Sequence, residues 1–199
     1  LFELEHLKRG KRKSSLLLTS GCNERIAEQY IKMGLFVKRA LDSGKMKKLL
    51  VTSMREGEGK TMVAVNLALS LSRLGHQVVL IDGNLKKPSL MNVFSIARNQ
   101  ADCFDPDLEE AKQVNYLARI TPNFYVMPFI KSSIGRVNFK SESFGHIIEV
   151  MQEFFDYIIF DSAPATSVDT LNLAEISDGV LMVVKQNETR VGGALMSLS

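Results

Sequence analysis

Residues 53–61 read SMREGEGKT, with Gly57 and Gly59 two positions apart and Lys60 and Thr61 directly behind them. That order suits the capture of an anion. Glycine takes positive φ at little cost, so successive backbone N–H groups can turn into one concavity, and a helix opening there adds a positive partial charge. In such a cradle Lys60 reaches the β- and γ-phosphates of a nucleotide and the Thr61 hydroxyl ligates Mg²⁺. The strict pattern G-x-x-x-x-G-K-[ST] asks for glycine at position 54, where this chain has Met54. A glycine-rich turn after a strand can also be purely structural.

Two acids strengthen the chemical reading. VVLID (78–82) and YIIFD (157–161) each place an aspartate, Asp82 or Asp161, after four apolar residues. Ligands of an open parallel sheet sit beyond the carboxyl ends of its strands, so both acids are expected to converge on the metal edge of one nucleotide. A lone strand-terminal aspartate is often only a cap or turn residue. Two of them beside a phosphate loop make a site.

The elements that must position these groups are visible as apolar runs at 49–53, 78–82, 124–129, 157–161 and 179–185. Continuous rather than alternating hydrophobicity predicts strands buried on both faces, hence an α/β fold with a doubly wound parallel sheet flanked by helices. The helix after the glycine turn is expected to run to Leu74 and stop at Gly75. Ile26, Tyr30, Met33, Val37 and Leu41 predict an amphipathic helix before the first strand, with Asn23 as N-cap and Gly44 near its end. Such a helix either covers the sheet or meets a neighbouring subunit. Another is expected over 143–155. The stretch from Phe94 to Pro122 reads as irregular, with one short helix between Pro106 and Leu117.

Composition sets the broad class. The chain has 199 residues, 45% of them hydrophobic and 24% charged, which suffices for one domain with a sizeable core. Residues 21–199 read as that nucleotide-binding domain, and residues 1–20 as a basic arm, because Lys8, Arg9, Lys11, Arg12 and Lys13 crowd together. The arm is either solvated or a juxtamembrane segment drawn to anionic lipid, and nothing in it points to nucleic acid. Cys22 and Cys103 are too few and too far apart for a disulfide framework or zinc site, which favours a reducing cytoplasmic compartment. His6, His76 and His146 lack ligand spacing. No apolar run has the roughly 18–20 residues of a membrane span, so a soluble chain is expected. The absent initiator Met and the ending VGGALMSLS suggest a fragment, truncated at its C-terminal side.

Taken together, SMREGEGKT, NLALSL, VVLIDGNLKKP, FFDYIIFDSAP and AEISDGVLMVVKQNETR resemble the cytoplasmic domain of the bacterial tyrosine kinases of capsule and exopolysaccharide biosynthesis, within the MinD/ParA-like P-loop NTPases. The resemblance covers about Glu28 to Thr189. It implies Walker A at 51–61, Walker A′ at 78–88 and Walker B at 157–161. The implied nucleotide-binding residues are Arg55, Glu56, Gly57, Glu58, Gly59, Lys60, Thr61 and Met62. Lys60 and Asp82 are the implied catalytic residues, and Thr61, Asp82 and Asp161 the metal set. The implied cofactors are ATP and Mg²⁺. The implied partners are a membrane-embedded polysaccharide co-polymerase or activator, fused or separate, and further copies of the chain in a ring that phosphorylates its own C-terminal tyrosines at the inner face of the cell membrane.

Four departures divide the functional reading. Asn84 stands where the family's Asp-x-Asp has its second acid. Ile31 and Met33-Gly34 replace arginines of the assembly helix, FIKSSIGRVNFKSES replaces a Gly- and Pro-rich connection, and no tyrosine cluster is present. Met54, Arg55 and Glu56 stand where MinD and ParA carry an extra signature lysine. Three readings therefore remain: a tyrosine kinase, a catalytically degenerate nucleotide-dependent regulatory module, or a MinD/ParA-type ATPase.

Overall fold

The computed structural model describes residues 24–96, 117–129 and 137–185. The basic arm, Cys22, Cys103 and Asn23 lie outside these residues, as does the expected helix at 106–117 but for Leu117. The three most apolar runs form β1 (Lys48–Ser53), β2 (Val78–Gly83) and β5 (Tyr157–Ser162), buried along almost their whole length. With β3 (Ala118–Thr121), β4 (Phe124–Met127) and β6 (Gly179–Val183) they make one sheet in the order β3-β4-β2-β5-β1-β6. The four pairings along β4-β2-β5-β1-β6 are all parallel.

The edge corrects the expectation of a wholly parallel sheet. Residues 118–121, read as irregular, form a strand antiparallel to β4, closed by the Pro122-Asn123 turn. Four residues, only some of them apolar, give too weak a pattern to read: Ile120 packs on the core, while the Arg119 guanidinium sits 5.8 Å from the Tyr125 ring centroid. β4 and β6 also end earlier than the apolar runs at 124–129 and 179–185, although Phe129 is still buried.

Side chains alternate between two cores because successive strand residues point to opposite faces. On one face Val51, Val78, Leu80 and Ile159 pack beneath α2 (Lys60–Arg73) and α1 (Glu24–Ser43). On the other, Val79, Ile81, Ile158 and Phe160 meet α4 (Glu142–Phe154) and Leu173 of α5 (Val168–Ile176). A short α3 (Leu90–Phe94) follows β2. α4 begins one residue before the expected 143 because Ser141 caps it, accepting from the Phe144 N–H at 3.2 Å. α2 stops where Gly75 takes φ 93°, with the Gly75 and His76 N–H groups donating back to the Ser72 and Leu71 carbonyls.

Gly34, one of the departures from the family's assembly helix, has a packing reason. A Cβ there would lie 2.7 Å from Ser70 Cβ on α2, and the Ser70 hydroxyl donates to the Tyr30 carbonyl at 2.9 Å. The two helices approach backbone to backbone. Gly34→Val is expected to destabilise the domain by about 1–3 kcal/mol through overpacking. That would lower its thermal midpoint by roughly 2–4 °C per kcal/mol; an unchanged melting curve would contradict the close contact.

Candidate functional site

The glycine turn lies at the carboxyl end of β1 and opens α2. Gly57 and Gly59 take φ 82° and 93°, values that other residues rarely adopt. Met54 has no positive φ, so a Cβ is tolerated where the strict motif has glycine. The loop is braced from within: the Ser53 hydroxyl donates to the Arg55 carbonyl at 2.7 Å, and the Arg55 N–H donates to the Glu58 carboxylate at 2.7 Å. Glu58 therefore serves the shape of the cradle. Thr61 and Met62 are half-buried in the first turn of α2, the Arg55 side chain is exposed, and the Glu56 carboxylate is 2.7 Å from Lys87 Nζ.

Lys60 is buried, its ammonium 3.5 Å from the Arg55 carbonyl. Burial lowers its pKa, while Asp161, Glu58 and Glu56 oppose the shift. The register of β2 and β5 pairs Asp82 with Asp161 directly. Both are buried but differ in how their oxygens are used. Asp82 accepts from the backbone N–H groups of Ser89 (2.8 Å), Leu90 (3.0 Å) and Asn84 (3.3 Å). Neither Asp161 oxygen has a hydrogen-bond partner among the described residues. Thr61 is near enough to favour the ionised form of Asp161 without making a well-formed bond to it. Burial, then repulsion from Asp82, pushes Asp161 up to about 7. Burial alone pushes Asp82 up to about 6 against its three N–H donors.

An unpartnered buried carboxylate is costly unless a cation completes it. Asp161 with the Thr61 hydroxyl offers the hard oxygen donors that Mg²⁺ prefers, and Lys60 with the glycine-turn amides offers positive charge to phosphates. The structure thus brings Gly57, Gly59, Lys60, Thr61, Asp82 and Asp161 to one edge of the sheet. Asn84 is near them in a turn, its backbone carbonyl and Oδ1 accepting from the Lys87 N–H at 3.1 and 3.3 Å.

Two supporting features escaped the sequence reading. Gly83 faces Leu173, where a Cβ would come within 2.5 Å of Cδ1. The Thr52 and Thr170 hydroxyls both donate to the Ala163 carbonyl, which fixes the chain just after Asp161. Neither leaves a pattern in sequence. Lys87 could have been suspected, because an acid such as Glu56 within an anion-binding turn calls for a neighbouring cation.

This geometry is that of a phosphate-binding NTPase, and comparison with known proteins agrees. The ParA family model, NUBPL iron-transfer P-loop NTPase, matches residues 45–192; the iron transfer in that name is the namesake's. The tyrosine-protein kinase CpsD of Streptococcus pneumoniae is 30% identical over 166 residues, covering 81% of this chain and 72% of that protein. The chain belongs to the ParA-like P-loop NTPases, in their bacterial tyrosine-kinase branch. Two solved structures show the same fold. The kinase domain of the Escherichia coli tyrosine kinase ETK superposes with a TM-score of 0.76 at 16% identity, covering 98% of this chain and 77% of that one. Pyrococcus horikoshii MinD complexed with Mg-ADP gives 0.62 at 18% identity, covering 76% and 65%.

The raised acids give this bacterial-tyrosine-kinase domain a pH signature. A carboxyl group whose pKa is higher folded than unfolded binds more protons in the native state, so stability falls as pH rises from about 4 to about 7. Without nucleotide or divalent cation, Asp161→Asn should stabilise the domain at about pH 8 by roughly 1–3 kcal/mol and flatten that fall. Denaturant titrations at several pH values measure both, and an equally steep fall in the variant would contradict the assignment.

Proposed function

We propose that this domain binds ATP with Mg²⁺ and transfers its terminal phosphoryl group to tyrosines of its own kind, as part of a capsule or exopolysaccharide system. The observation that carries the reading is the unpartnered, fully buried Asp161 beside Lys60 and Thr61 at the mouth of the glycine turn. The turn's N–H groups and Lys60 bind and orient the phosphates. Asp161 and Thr61 hold the metal edge, where Mg²⁺, when bound, neutralises charge on the phosphates. Asp82 adds the second acid of that edge and organises the loop behind it. The burial of these groups excludes water from one side of the reacting phosphate.

The family resemblance and the relative's name support the remaining parts of the proposal. These are a membrane-embedded polysaccharide co-polymerase or activator as partner, assembly with further copies of the chain, and a place at the inner face of the membrane with residues 1–20 as linker. No helix among the described residues is long and apolar enough to cross a membrane.

Lys60→Met tests the core of the reading. Losing a charge-assisted phosphate contact should weaken ATP about ten- to a hundredfold, read by titration calorimetry with Mg²⁺ present, and unchanged affinity would refute the site.

A second reading, a nucleotide-dependent regulatory module, is favoured by Asn84, which cannot accept a proton, and by Asp82, whose oxygens already hold three N–H groups. Asn84→Asp divides the two. Aspartate keeps the Oδ1 acceptor for Lys87 N–H and adds a base, so phosphotyrosine formation in the full-length protein should rise, up to on the order of 10²-fold. No rise with ATP affinity intact would favour the regulatory module.

A further inference from the structure

The loop after β2 and the glycine turn are joined by a side-chain contact, Lys87 Nζ to Glu56 Oε2 at 2.7 Å. Its placement is electrostatically odd. Glu56 is an acid next to Gly57 in a turn whose amides face an anion, so it repels the phosphates that the turn is shaped to hold. Lys87 offsets that charge and is the main reason the Glu56 carboxyl titrates below its ordinary value. Both side chains are 66% exposed, which makes the pair weak and easily exchanged. The base of the Lys87 loop, by contrast, is firmly held. Asp82 anchors residues 84, 89 and 90 through their N–H groups, and Asn84 accepts from the Lys87 N–H through both its carbonyl and Oδ1. Lys87 is therefore an exposed cation on a fixed base.

We propose that Lys87 is a positioning and specificity residue that leaves Glu56 for the terminal phosphate of a bound nucleoside triphosphate, so that the Walker A′ loop distinguishes ATP from ADP. A phosphate carries more charge than a carboxylate and outcompetes it for an ammonium. The terminal phosphate is the relevant one because the Lys87 loop leaves β2 one residue after Asp82, the register partner of Asp161, and Asp161 is the acid beside Lys60 and Thr61. Glu56 then acts as a competitor that holds the cation until the triphosphate arrives.

The inference rests on the nucleotide site proposed above, and one set of titrations separates the two. ATP and ADP, each with Mg²⁺, are titrated by calorimetry into the wild type, Glu56→Gln, Lys87→Met, Lys87→Arg and the Glu56→Gln/Lys87→Met double variant, with melting curves for each. A wild type that binds neither nucleotide refutes the site itself. If it binds, Lys87→Met should weaken ATP about tenfold and ADP little, while Lys87→Arg retains the preference. Glu56→Gln, which frees Lys87, should tighten ATP up to about fivefold and lose that effect in the double variant. An ATP-to-ADP ratio unmoved by Lys87→Met would overturn the inference. So would a Glu56→Gln gain of equal size with or without Lys87, which would reveal simple charge repulsion. Should Lys87→Met fail to fold, Lys87→Gln takes its place, alone and combined with Glu56→Gln, and the same outcomes support or overturn the exchange.

Discussion

Two carboxyl groups buried side by side, Asp82 and Asp161, are the constraint around which the rest of this structure is arranged. They are adjacent because β2 and β5 are neighbours in parallel register. Each would be easier to bury alone, since burial raises both and each proton lost from one makes the other harder to ionise. The fold reconciles them by treating them differently. Asp82 is given three backbone donors, whereas Asp161 is given none and is left facing Lys60 and Thr61. One acid shapes the protein, and the other is left ready for a cation.

The surrounding packing serves that division. Gly83 has no side chain, so α5 can seat Leu173 against the end of β2, directly after Asp82. The Ala163 carbonyl is tied to hydroxyls from β1 and α5, so the chain leaving Asp161 has a defined course. On the opposite face, Gly34 and Ser70 let α1 lie close on α2, the helix that carries Lys60 and Thr61 at its start. Gly34, one of the departures from the resembled assembly helix, thus lets α1 pack closely on the helix that carries Lys60 and Thr61.

The glycine turn and the loop after β2 meet through Glu56 and Lys87, and their roles differ in stiffness. The turn is braced by Ser53 and Glu58 acting on Arg55, so its amides are preorganised for an anion. The exposed Lys87 and Glu56 pair can change partner without disturbing either loop's base. Rigid amides with a movable cation suit a site that must recognise a phosphate and then respond to it.

The sequence by itself determined the parts whose information is local. Continuous apolar runs marked the five parallel strands; β1, β2 and β5 are buried on both faces and need no outward polar residue, whereas β6, equally apolar, is an edge strand with Val180 exposed. Gly57, Gly59, Lys60 and Thr61 marked the phosphate loop, because positive φ, positive charge and a hydroxyl at that spacing have few other uses. Asp82 and Asp161 were recognisable as strand-terminal acids. Only the tertiary structure decided what each acid does, because sequence carries neither the register of β2 against β5 nor the return of Ser89 and Leu90 onto Asp82. The same holds for the antiparallel β3, whose four residues gain their conformation from pairing with β4, and for Glu56 with Lys87. Their attraction depends on two loops 31 residues apart in sequence being brought to the same edge of the sheet.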